Sequence, residues 1–173
     1  MSVSTGELAP DEVHARAETW RADPVEIPPR RYGGSVSFFV PGVPAPQGSK
    51  RHVGNGRMIE SSKRLKPWRA DVEAEARRAF EAAGFEQLTE GVAVRLMFVM
   101  PRPKSAPKTR PVQAIKRPDV DKLARAVLDA LDAAGAYRDD SQVIELEVRK
   151  QLTHGQNPDS PGVHVWIRGS EWH

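Results

Sequence analysis

Two strand-like segments follow one another near the end of the chain with no helix between them, and this constrains the fold more than any other feature. Residues 142–152 alternate, with Val143, Ile144, Leu146 and Val148 among the apolar members, and residues 163–167 repeat the pattern more briefly. Two consecutive strands argue for an antiparallel or mixed sheet, whereas a doubly wound parallel sheet needs a helix at each crossover. The fold predicted is therefore α/β of the α+β type, a mixed or antiparallel sheet of about four strands packed with two main helices.

The remaining elements are punctuated by glycine and proline. Ser35 to Val40 reads as a strand stopped by Pro41-Gly42, and Pro44 to Gly48 as a loop. Lys50 to Val53 and Arg57 to Glu60 flank Gly54-Asn55-Gly56, which predicts a short hairpin. A helix is expected from a cap at Ser61 or Ser62 to Ala83, with Trp68, Val72, Ala76, Ala79 and Phe80 at helical spacing and Gly84 as its stop. Gly91 to Met100 is the clearest strand, and Val120 to Ala134 the second helix, stopped by Gly135. Residues 1–35 read as an extension, interrupted by Pro24, Pro28 and Pro29, and residues 36–173 as the folded domain.

No cysteine is present, so a disulfide framework, a thiolate zinc site and a cysteine nucleophile are excluded. His14, His52, His154, His164 and His173 show no metal-ligand spacing. No apolar run approaches the length of a membrane span and no apolar signal region opens the chain, so a cytoplasmic protein without membrane contact is expected. The net charge of +3 is mild, but its distribution is not. Arg102, Lys104, Lys108, Arg110, Lys116 and Arg117 form a run with no acid. Lys50, Arg51, Arg57, Lys63, Arg64, Lys66 and Arg69 form a second cluster, with Glu60 its single acid.

Directly after the first run come Asp119 and Asp121, and Asp139 and Asp140 follow the second helix. Taken singly, each acid has an ordinary explanation: an N-cap, a first-turn acid, an i,i+4 ion pair or a turn. On a helical wheel Asp121, Arg125, Asp129 and Asp132 share roughly a quarter of the circumference, with Leu123, Val127, Ala130, Leu131 and Ala134 opposite. Asp129 and Asp132 are expected to pair with Arg125. An extended Asp119-Val120-Asp121 would turn Val120 inward and aim both carboxylates the same way. If the following strand starts beside the helix entry, Asp140 returns to the same spot, and converging carboxylates need a divalent cation to offset their repulsion. Mg²⁺ prefers such oxygens and can activate water for attack on phosphorus. The neighbouring lysines and arginines suit a polyanionic substrate.

The stretch RPDVDKLARAVLDALDAAGAYRDDSQV, Arg117 to Val143, resembles the RusA family of endodeoxyribonucleases, and FFVPGVPAPQGSKR, Phe38 to Arg51, matches it more weakly. The resemblance implies a Holliday junction resolvase of bacterial or phage type: a homodimer that makes paired cuts in branched DNA with Mg²⁺, or Mn²⁺ in its place. It implies Asp119, Asp121 and Asp140 as metal ligands, with Asp139 as a helper or structural acid. Lys122 and Arg125 stand where one common form of the motif has asparagine and lysine. Arg125 keeps the charge but does not readily release a proton, so a non-catalytic branched-DNA-binding relative is the alternative. Lys50, Arg51, Arg57, Lys63, Arg64, Lys66, Lys104, Lys108, Arg110, Lys116 and Arg117 are the candidate DNA contacts.

Overall fold

The computed structural model describes residues 35–48, 50–52, 58–60, 63–107, 112–153 and 160–170, with 50–52 and 58–60 as backbone. The elements are β1 (Val36–Pro41), β2 (Lys50–His52), β3 (Met58–Glu60), α1 (Leu65–Ala83), β4 (Val92–Met100), α2 (Val120–Ala133), a 3-10 turn (Asp140–Gln142), β5 (Val143–Leu152) and β6 (Gly162–Gly169). The sheet runs β1-β6-β4-β5, and β2 and β3 form a separate antiparallel hairpin. β6 is antiparallel to both β1 and β4, while β4 and β5 are parallel. The expected four-stranded mixed sheet with two main helices is what forms.

The parallel pair follows from the connection between its strands. The chain leaves β4, runs through the basic proline-rich loop and α2, and returns as β5, the crossover that parallel neighbours require. β4 is buried along nearly its whole length, and accordingly its sequence is an almost unbroken apolar run.

Both helices cover one face of the sheet. Val36 and Val40, Val94, Leu96 and Phe98, and Val163, Val165 and Ile167 meet Trp68, Val72, Ala76 and Phe80 of α1 and Leu123, Val127, Ala130 and Leu131 of α2 in one core. The predicted apolar stripe of α2 is thus the buried one. The alternate residues point the other way. Phe39, His164 and Trp166 form a row there, with ring centroids 4.6 Å and 5.8 Å apart. Trp68 is core, as its helical spacing indicated. Its ring crosses Gly42, where φ is +134° and an added Cβ would lie 3.3 Å from the indole. Both the positive φ and the close approach call for glycine.

The helix stops are where the glycines place them. Gly84 is left-handed and its N–H donates to Phe80 and Glu81 carbonyls. Gly135 has φ +84° and donates to Asp132 O. The first helix starts at Leu65 with Arg64 at its N-cap and no side-chain capping bond, so the cap expected at Ser61 or Ser62 is not used; the 1–35 extension lies outside the described residues apart from Ser35. Among the described residues no helix is long and apolar enough to cross a membrane.

Candidate active site

The start of α2 is built by three separate parts of the chain. The Lys150 ammonium donates to the carbonyls of Lys116 (2.9 Å) and Pro118 (2.7 Å), pinning the segment that leads into the helix against the end of β5. The Gln47 N–H donates to the Lys122 carbonyl at 2.9 Å, which fastens the first proline loop to the same turn. The Gln47 side chain reaches on to Asp129, and Arg69 of α1 pairs with Asp129 at 3.3 Å. Asp129 is therefore a clamp between α1, α2 and the loop. The expected Asp129–Arg125 pair does not form, because Asp129 faces α1 while Arg125 faces solvent.

Asp119 occupies the N-cap position with extended backbone, yet its side chain makes no capping hydrogen bond. Its carboxylate pairs instead with Lys122 Nζ at 3.0 Å. That hydrogen bond and charge hold the Asp119 carboxyl below its ordinary value, with smaller contributions from Arg117 and Lys150. The helix begins at Val120, so Asp119-Val120-Asp121 is not an extended segment, and Val120 is 39% exposed where inward burial was expected. Asp121 and Arg125 lie one helical turn apart and both are exposed.

A cleft of about 770 Å³ opens beside Asp119 and Lys122. Its walls are the first proline loop (Val43, Pro44, Pro46), the ends of β4 and β5 (Met100, Leu152) and the second proline loop with Ile115. Arg64, Lys116 and Arg117 line it as cations. Lys63, Lys66 and Lys104 are exposed. Lys50 and Arg51 lie on β2, while Arg57, Lys108 and Arg110 lie outside the described residues.

Asp139 and Asp140 sit at the other end of the helix. Asp139 caps the 3-10 turn: its carboxylate accepts from Ser141 N at 2.9 Å, and Gln142 Oε1 accepts from Asp139 N. The Ser141 bonds lower the Asp139 pKa. Gln142 also donates to the carbonyls of Leu88 and Glu90, fixing the turn beside the start of β4. Tyr137 is buried here, donating its hydroxyl to Leu128 O, and burial followed by Asp132, Asp140 and Asp129 raises its phenol pKa well above the usual value. Asp140 itself is exposed.

One chain therefore does not bring Asp140 to Asp119 and Asp121. The fourteen residues of α2 stand between them, about 20 Å at the helical rise. The expected convergence fails because β5 is parallel to β4, so β5 starts at the exit of α2 and only ends at its entry. Among the described residues no three acidic or histidine side chains converge on a metal-sized site.

Sequence reasoning missed Lys150, Gln47 and the clamp role of Asp129. A signal for Lys150 was present, since it takes the core-facing phase of β5 after Leu146 and Val148. Gln47 is the one amide in its proline loop but carries no pattern of its own.

A proline-walled cleft with the exposed Asp119 on its lip and cations around it suits hydrolysis of a polyanion. The family model for endodeoxyribonuclease RusA matches residues 41–168. The chain belongs to the RusA family of endodeoxyribonucleases, hydrolases that act on the phosphodiester bonds of DNA. It is also similar to the uncharacterized protein YqaN of Bacillus subtilis (strain 168), with 31% identity over 145 residues, covering 77% of this chain and 95% of that one.

Proposed function

We propose that this chain is a cytoplasmic, Mg²⁺-dependent endonuclease that resolves four-way DNA junctions by paired phosphodiester cuts, as a homodimer acting in recombination and repair. The observation that carries the proposal is the exposed Asp119 on the lip of the cation-lined cleft, with exposed Asp121 two residues on, in a chain of the RusA family. The donor set fits a hard divalent ion, because Mg²⁺ is commonly held by one or two carboxylates and retains several waters. Asp119 and Asp121 would hold it, Asp140 being able to join them only from the second copy of the homodimer, and Mn²⁺ would substitute. When bound, the ion supplies Lewis-acid stabilisation of the phosphate and leaving oxygen.

The chain's own residues do the rest. Arg64, Lys116 and Arg117 neutralise backbone phosphates and fix the strand in the cleft without reading its sequence. Lys122 keeps Asp119 ionised and oriented. Arg125, one turn beyond Asp121, offers a fixed positive charge to the phosphorus as negative charge builds in the transition state. The test is cleavage of an end-labelled four-way junction with and without Mg²⁺. Nicks that depend on metal and disappear in Asp121→Asn are the expected result. Tight junction binding without product in either Mg²⁺ or Mn²⁺ would instead identify a non-catalytic branched-DNA-binding module.

A further inference from the structure

Phosphate contacts account for only part of the cleft. Arg64, Lys116, Arg117 and Lys122 are its cations, but most of the remaining lining is apolar: Val43, Met100, Leu152, Ile115 and prolines from both loops. Such a wall gains little from a duplex backbone, whose outer surface is sugar and charged phosphate. A nucleobase lifted out of its stack is different, because it offers a flat face on either side for apolar groups to cover. We propose that the cleft receives an unpaired nucleobase next to the scissile phosphate, with Ile115 as the wedge that parts it from its neighbour. The inference rests on the nuclease reading above and names the part of the DNA that its cleft selects.

Three observations point to a base. First, the space is right. A volume of about 770 Å³ lies within the roughly 300–1,000 Å³ of sites that enclose small organic molecules. Second, apolar side chains are left in water at the mouth. Ile115 is 82% exposed and Val43 38%, and both line the cleft. Val120, also exposed, stands between Asp119 and Asp121. Aliphatic groups add no contact to phosphate, whereas isoleucine and proline are residue types that insert between base steps. Third, the walls are held. Lys150 fixes the carbonyl of Lys116, the residue after Ile115, and that of Pro118. Thr153 N donates to Met100 O at 2.9 Å, and Thr153 Oγ1 accepts from Arg102 N at 3.2 Å, tying the ends of β4 and β5 together at the floor. The prolines have their φ fixed by the ring. Walls ordered in advance lose little conformational freedom when a base enters.

Charge completes the fit. A base drawn from the stack brings its two flanking phosphates with it. Arg64, Lys116 and Arg117 line the same cleft to receive them, and Asp119 on the lip sets the acidic residues beside one of them. The planar guanidinium of Arg64 is also suited to stack on a base face. Selection by structure is the consequence. In an intact duplex, drawing out a base costs both pairing and stacking, and the cost is least where the base is already unpaired. The cleft therefore favours a branch point through the cost of unstacking, not through a contact unique to the crossover.

The fluorescence of 2-aminopurine, a base analogue quenched by stacking, tests the inference without cleavage. Four-way junctions carrying it at successive positions around the branch are saturated with the full chain in the absence of divalent metal. Emission should rise at least about twofold at one position, where the base leaves the stack. At the same occupancy Ile115→Ser should lose most of that rise and Ile115→Leu should keep it. Ile115 is largely exposed, so neither change disturbs the core. A second readout uses Mg²⁺. Ile115→Ser should cut an intact junction at least about tenfold more slowly than wild type, a defect of positioning. One unpaired nucleotide placed beside the scissile phosphate should restore most of the rate, which no repair of the DNA would do for a misfolded protein. Wild type that gives the rise but never cuts would sink the nuclease reading and keep the base site. A bound junction with no rise at any position would overturn the proposal and leave the apolar walls to a protein segment. A rise that survives in Ile115→Ser, or a rate loss that the unpaired nucleotide does not restore, would overturn it as well. Failure to bind any junction would sink both readings.

Discussion

The two ends of α2 carry the same residue type and use it in opposite ways. At the entry, Asp119 holds the N-cap position but leaves the cap unmade, pairing with Lys122 at the lip of the cleft. At the exit, Asp139 also stands at a cap position and spends its carboxylate on Ser141 and the turn. One aspartate leaves its cap unmade and pairs with an exposed lysine, and the other is consumed by the turn. An acid close to a helix end is thus uninformative until its hydrogen-bond partner is known. Asp129, between them, is a third case, bound into a clamp with Gln47 and Arg69.

The comparison depends on α2 being a rigid spacer, and the largest expected effect tests that. Leu123 is fully buried under the helix entry. Leu123→Ala should cost about 2–5 kcal/mol in urea unfolding, from lost transfer energy plus the cavity left behind. A loss near zero would mean the entry of α2 is not packed as described.

The caps give the next contrast. Asp139→Ala should measurably lower the urea midpoint, because it removes a side-chain cap. Asp119→Ala should leave the urea midpoint nearly unchanged, since the one exposed ion pair it breaks contributes little. Equal losses at the two positions would remove the distinction between a spent and a spare aspartate.

The smallest effect is a titration. Lys122 lowers the Asp119 pKa, so Lys122→Met should raise it back toward an ordinary carboxylate. Carboxyl-carbon NMR of the two proteins should show the variant's Asp119 protonating at higher pH. The sign matters: a carboxyl lowered in the folded state favours folding above its unfolded pKa, and that contribution is lost as pH falls through the folded value. No change, or a downward change, would mean that Lys122 does not control the acid.

Most of the fold was legible because its signals are local. Alternation marked β5 and β6, glycine stopped both helices, and the wheel picked the buried side of α2. The site was legible only by residue type. That Asp119 and Asp121 belong together follows from their adjacency, but the place of Asp140 depends on strand direction. β5 runs parallel to β4, a pairing set by the crossover through α2 and not by any residue in β5. The same holds for Asp129. Its spacing to Arg125 on the wheel is sound, yet Arg69 from a distant helix reaches it first. Lys150 was the readable exception, a charge in a core-facing phase.

The most direct measurement compares two acids on the same exposed side of α2. Asp121 stands at its entry and Asp132 near its exit. On a labelled four-way junction in Mg²⁺, Asp121→Asn should lose at least about a hundredfold in cleavage rate, the scale for removing a group that stabilises developing charge. Asp132→Asn, folded to the same extent, should cut at close to the wild-type rate. Equal cleavage by both variants, or loss confined to Asp132→Asn, would contradict the assignment of the reaction to the entry of α2.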